Sequence, residues 1–136
     1  MIIDATNLIL GRLAAYASKQ ALLGNKVNIL NCEKAIITGK RESIFAFYRE
    51  RVERGYLYKG PFMSRMPDRI IKRTIRGMLP YKKERGKLAL KKVKCYLGMP
   101  KEFDGKKMEI LKEAHLTKMM NTSYITIGEL ANHLGK

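Results

Sequence analysis

Arg69, Lys72, Arg73 and Arg76 carry the strongest chemical signal in this sequence, because their spacing gathers four cations on one side of a helix. At about 100° per residue they fall within about 100° of one another, while Ile71, Ile75, Met78 and Leu79 fall opposite. Such a helix turns one side to a core and the other to anions. Pro67 suits a first helical turn, and Pro80 disfavours helical geometry at Leu79, so the pattern is bounded at both ends. A solvated face of mixed charge is the ordinary reading of a basic helix. Here only Asp68 comes within reach, and of Lys72 alone, so the face reads as one that binds phosphates.

The surrounding stretch extends the same chemistry. Lys59 to Lys94 holds thirteen basic residues, including Arg65, Lys82, Lys83, Arg85, Lys87, Lys91 and Lys92, against Asp68 and Glu84, a net +11 over 36 residues. A surface this positive gains free energy by releasing the counterions condensed on a nucleic acid, and its affinity then falls steeply with salt. Tyr56, Tyr58, Phe62 and Tyr81 are interleaved with these charges; they fit either stacking on unpaired bases or ordinary core packing. Thr38-Gly39-Lys40-Arg41 places two cations where a helix should begin, which opposes its dipole. A phosphate near Gly39 would relieve that conflict, and solvent screening of two surface charges is the alternative.

Catalytic readings find little to rest on. A P-loop ending in Gly39-Lys40 needs glycine where Lys34 stands and a hydroxyl where Arg41 stands. Gly11-Arg12 lacks the further glycines of a dinucleotide fingerprint. His115 and His133 have no cysteine at ligand spacing and read as surface or packing residues. No Gly-x-Ser-x-Gly elbow occurs, and Glu50 and Glu53 sit among arginines as surface ion pairs do.

These groups must be positioned by a scaffold, and the scaffold reads as α/β. Ile2-Ile3 makes a short strand, and Leu10, Leu13, Ala14, Ala17 and Ala21 recur at helical spacing until Gly24-Asn25. Val27 to Leu30 and Ala35-Ile36-Ile37 read as buried strands. A second helix is expected from about Lys40 to Arg54, with Ile44, Phe47, Tyr48 and Val52 inward and Gly55 as its stop. Residues 56–66 form an ordered loop, 108–120 remain open between helix and extended chain, and Thr126 with Glu129 makes a capping box for a short helix ending at Gly135. Strand, helix, strand, strand, helix in this order gives an α/β sandwich with some parallel pairing.

Length and charge agree with this plan. The 136 residues suit one domain, 1–136, and 46% hydrophobic content supplies a core. The net charge of +16 resides almost wholly in residues 39–107, which carry +14, while residues 1–38 carry +2 and 108–136 carry none. The flanks should therefore supply most of the core and the middle the contact surface, concentrated in 59–94. No apolar run approaches the roughly 18 residues of a spanning helix, and Asp4 without a basic leader argues against a signal peptide. Cys32 and Cys95 lie outside any Cys-x-x-Cys pair and read as uncrosslinked thiols of a cytoplasmic protein, a disulfide between them being the alternative.

Ile75-Arg76-Gly77-Met78-Leu79-Pro80, then Arg85-Gly86, Val93-Lys94-Cys95-Tyr96 and Gly98, resemble the universal L-thirteen family of large-subunit ribosomal proteins. The likeness runs through the whole chain, beginning at Asp4-Ala5-Thr6 and Leu10-Gly11-Arg12-Leu13-Ala14 and continuing through Lys26-Val27 and Asn31-Cys32-Glu33-Lys34. Met99-Pro100 in place of a His-Pro pair, a short insert after Pro80 and the Tyr124 to Leu130 ending resemble the archaeal and eukaryotic branch. The resemblance implies a three-layer α/β/α fold with a small, mainly parallel central sheet and a basic helix-loop extension. It also implies binding to large-subunit ribosomal RNA beside neighbouring large-subunit proteins, and a part in early subunit assembly on the cytoplasmic ribosome. Arg76, Gly77 and the basic residues around Arg85 and Lys87 should then lie at the RNA, with Gly77 allowing close backbone approach. The expected RNA contacts are Arg12, Lys40, Arg41, Lys59, Arg65, Arg69, Lys72, Arg73, Arg76, Gly77, Lys82, Lys83, Arg85, Lys87, Lys91, Lys92 and Lys94. No catalytic residue, cofactor, metal, membrane or small-molecule substrate is expected. An RNA-processing enzyme and a regulator of other RNAs are the alternatives.

Overall fold

In the computed structural model, which describes residues 1–120 and 123–135, β1 (Ile2–Asp4) leads into α1 (Leu10–Leu22), β2 (Val27–Leu30), β3 (Ile36–Thr38) and α2 (Arg41–Glu53). Then come α3 (Pro67–Met78), α4 (Glu84–Lys91), β4 (Val93–Cys95), β5 (Tyr124–Thr126) and α5 (Ile127–His133). The central sheet has the order β1-β2-β4 and is parallel throughout, with Ile3 opposite Ile29 and Ile29 opposite Cys95. β3 and β5 make a separate antiparallel pair in which Ile37 faces Ile125. The α/β class and the mainly parallel sheet are as the sequence indicates.

The small side chains of α1 explain how the helices meet. Leu13, Ala14, Ala17 and Ala21 are buried, and the alanines let α3 and α4 come close. Ser18 is buried among them and satisfies its hydroxyl on the Ala14 carbonyl at 2.7 Å, with the Ile75 carbonyl at 3.5 Å. Ile70, Ile71 and Ile75 of α3 complete this layer against Val27, Ile29 and Val93.

Two expected core residues lie outside. Phe47 is 47% exposed, because the inner stripe of α2 runs through Ile44, Tyr48 and Val52 at a spacing of four, flanked by Phe45, and Phe47 falls beside it. Met78 is 45% exposed at the end of α3, where Leu79 takes the buried place. The middle of the chain also contributes more core than its charge suggested, since α3 and β4 pack at the centre.

Residues 108–120 settle as extended chain with turns, including a 3-10 turn at Leu116–Lys118. Their backbone finishes the margin of the sheet: the Glu109 N–H donates to Ile2 O at 2.8 Å and the Asp4 N–H to Glu109 O at 3.3 Å. The far end of β1 is fixed by Asp4, whose Oδ1 accepts from the Thr6 N–H (3.1 Å), the Thr6 hydroxyl (2.8 Å) and Asn31 Nδ2 (2.9 Å). Cys32 and Cys95 are free thiols. The neighbouring Cys95 side chain, and then burial, push the Cys32 thiol up, so it stays protonated.

Candidate nucleic-acid interface

α3 begins with Pro67 in its first turn and Asp68 beside the exposed N–H groups, both favourable there. Its isoleucines turn inward, and Arg69, Lys72, Arg73 and Arg76 stand exposed on the other side. The chain then reverses through Pro80–Lys83, where the Lys83 N–H donates to Pro80 O at 2.9 Å, and enters α4. Gly86 makes that reversal possible: a Cβ there would lie 2.1 Å from the Pro80 carbonyl oxygen. The expected basic helix-loop extension is therefore two helices joined by a tight turn, and α4 leads back into the central sheet through β4. Lys82, Lys83, Arg85, Lys87, Lys91 and Lys94 are exposed along it.

Little within the protein neutralises this surface. Among the described residues the side-chain ion pairs are Arg41–Glu129 and Arg54–Glu50, and neither involves α3 or α4. Asp68 makes no pair with Lys72; its Oδ1 is buried and without a hydrogen-bond partner among the described residues.

Separate concave regions divide the cations. A groove of about 460 Å³ is lined by Arg73, Arg76 and Gly77 of α3, Arg51 and Tyr48 of α2, Gly11 of α1, and Tyr81. Arg73 and Arg76 also border a second groove with Arg69, Lys72, Phe62 and Ser64, so these two arginines form a ridge. Lys91, Lys92 and Lys94 belong elsewhere, around a cavity that also includes Lys26, Tyr96 and Glu102. Lys92 is half-buried, and its Nζ donates to the Gly24 carbonyl at 3.1 Å, capping the end of α1.

The remaining expected contacts are scattered and partly occupied. Arg12 donates to Glu113 O at 2.9 Å, and Arg65 to Gly135 O at 3.4 Å. Arg41 pairs with Glu129 at 3.8 Å and lies 5.1 Å from the centre of the Phe45 ring, so a carboxylate meets one of the two cations at the start of α2. Lys40 and Lys59 are exposed. Core packing is not the role of Tyr56, Tyr58 and Phe62, which are 80%, 89% and 73% exposed beside Lys59. His133 is exposed and stacks on Phe45 at 4.0 Å, and His115 caps a 3-10 turn. Among the described residues no group of three His, Cys, Asp or Glu could hold a metal, and no helix is long and apolar enough to cross a membrane.

Arg51, Tyr48 and Gly11 were not singled out by sequence as contacts. Arg51 lies among glutamates in α2, where it reads as one more ion-pair partner; in the structure its guanidinium packs over Phe47 at 3.9 Å and borders the groove.

The family model described as Ribosomal protein L13 matches residues 1–102. The chain is 44% identical to the large ribosomal subunit protein uL13 of Methanosarcina barkeri, over 98% of this chain and 96% of that one. It is also 44% identical to the uL13 protein of Haloarcula marismortui, over 99% and 90% of the two chains, and 42% identical to that of Archaeoglobus fulgidus, over 98% and 86%.

Proposed function

The chain belongs to the ribosomal protein L13 family, and from that premise we propose that it is a structural constituent of the large ribosomal subunit, binding and stabilising large-subunit ribosomal RNA. The family is one of ribosome components and not of enzymes, and its archaeal relatives match this chain over nearly their full lengths. The observation that carries the RNA reading is α3: four exposed cations on one side, a buried isoleucine row on the other, and no carboxylate paired with any of the four among the described residues. Such a row costs the free protein repulsion and gains its return from an array of phosphates.

The family likeness extends the proposal to a part in early subunit assembly, and the charge is in keeping with it. A chain of +16 is best stabilised once an anionic partner is present, which favours docking while RNA is still accessible. Neighbouring ribosomal proteins on the cytoplasmic ribosome are the further partners that membership of this family supports.

The test is charge reversal of Arg69, Arg73 and Arg76 together, with binding to a large-subunit ribosomal RNA transcript measured across a salt series. The expected result is weaker binding and a log–log salt slope shallower by about 2 or more. Unchanged affinity and slope would remove this surface from the interface. Sedimentation of extract separates a ribosomal constituent, found with large subunits, from a regulator that stays off them.

A further inference from the structure

The groove between α1, α2 and α3 has features that a row of phosphates does not require. Two of its lining residues are helical glycines, Gly11 in the first turn of α1 and Gly77 near the end of α3. Neither has a left-handed backbone, and a Cβ at either would meet nothing within 4 Å. Gly86 and Gly55 are different, since a Cβ there would strike backbone or proline atoms at 2.1 and 2.4 Å. No close contact and no left-handed turn asks for glycine at Gly11 or Gly77, and both line the same groove.

That space has the fittings for a base and its phosphate. The Arg76 guanidinium lies 5.3 Å from the centre of the Tyr81 ring, and both line the groove, offering planar groups on which a base can stack. Arg51 and Arg73 supply charge and have no carboxylate partner among the described residues. The Tyr48 hydroxyl has no hydrogen-bond partner among them either; burial raises its pKa, with Arg51 acting the other way, so it remains an O–H donor. The volume of about 460 Å³ lies in the range of small-ligand sites.

We infer that this groove receives a single unpaired nucleotide turned out of the bound RNA, its base lying against Gly11 and Gly77 beside the Tyr81–Arg76 pair and its phosphate held by Arg51 and Arg73. The inference rests on the RNA-binding reading above and adds a defined subsite to it. The glycines are the space into which the base fits, and Arg73, on the ridge, serves both this subsite and the phosphate row.

Gly11→Leu and Gly77→Leu, singly and together, test it on the full chain with a large-subunit ribosomal RNA transcript. Each should leave the melting temperature of the free protein unchanged or higher, weaken RNA binding by about tenfold or more, and make the salt slope shallower by no more than about 1, because stacking and a single phosphate contact are lost. Ultraviolet crosslinking of the unsubstituted complex should attach an unpaired nucleotide to a peptide containing Tyr48 or Tyr81. Unaltered affinity in the double variant, a slope shallower by about 2 or more, or crosslinks confined to other peptides would each overturn the subsite. Binding that is unaltered here but weakened by charge reversal of α3 rejects only the subsite. Binding that survives both rejects the interface as a whole.

Discussion

Asp4 concentrates three hydrogen bonds on one carboxylate oxygen and ties the end of β1 to Asn31, which adopts a left-handed conformation at φ 53°. Burial acts to raise its pKa, but the bonds from Asn31 and Thr6, with the charge of Lys34, outweigh it and the net shift is downward. A carboxylate depressed in the folded state stabilises above its unfolded pKa, and that stabilisation is lost as pH falls through the folded value. Asp4→Ala should therefore lose about 1–3 kcal/mol near neutrality, and the gap to the unsubstituted protein should close progressively below about pH 4. Urea melts of both proteins across that range measure it; a gap independent of pH would reject the carboxylate's part. Gly86 makes a second case. With a Cβ placed 2.1 Å from the Pro80 oxygen, Gly86→Ala should cost roughly 2–4 kcal/mol in the same assay, whereas surface changes elsewhere on α4 cost about 0.5 or less.

Helix α5 shows how a small cap decides an element. The Glu129 N–H donates to the Thr126 hydroxyl at 3.2 Å, while the Glu129 carboxylate reaches across to Arg41. Only half of the expected capping box forms, so the two residues have unequal weight. Thr126→Ala should lose about 1 kcal/mol and Glu129→Gln about 0.5 or less, since the pair with Arg41 is exposed. Thermal melts that rank them the other way would assign the anchoring of α5 to the ion pair. The same contrast explains what could be read in the chain. α3 was legible because its apolar and cationic residues segregate by angle. α4 was not, because its inward residues are Gly86 and Ala89, too small to register as a hydrophobic period, while Leu88 is 52% exposed. β4 and β5 are three residues each, as β1 and β3 are, but Val93-Lys94-Cys95 and Tyr124-Ile125-Thr126 lack the adjacent isoleucines that marked those two strands. The phosphate-facing row belonged to one helix and was visible, but the groove joins Gly11, Arg51 and Arg76 across some sixty residues of sequence, and no local spacing encodes that convergence.

At the scale of the molecule, +16 on 136 residues makes repulsion a stability variable. The melting temperature of the free protein should rise by several degrees between low salt and about 0.3 M, as the Debye length shrinks from tens of ångströms to about 6 Å. A flat or falling curve would mean that the cations are too far apart to oppose folding. RNA binding should weaken over the same interval, so one titration drives the two properties in opposite directions. The backbone pairing of Glu109 with Ile2 and Asp4 bears on a different hazard, that of newly made chains meeting one another at high density. Until the last quarter of the polypeptide has arrived, one flank of β1 offers unsatisfied amide and carbonyl groups to any strand nearby. Its closure then comes late in synthesis, and a cut near Gly105 would reopen a sticky seam in a protein whose charge otherwise keeps copies apart.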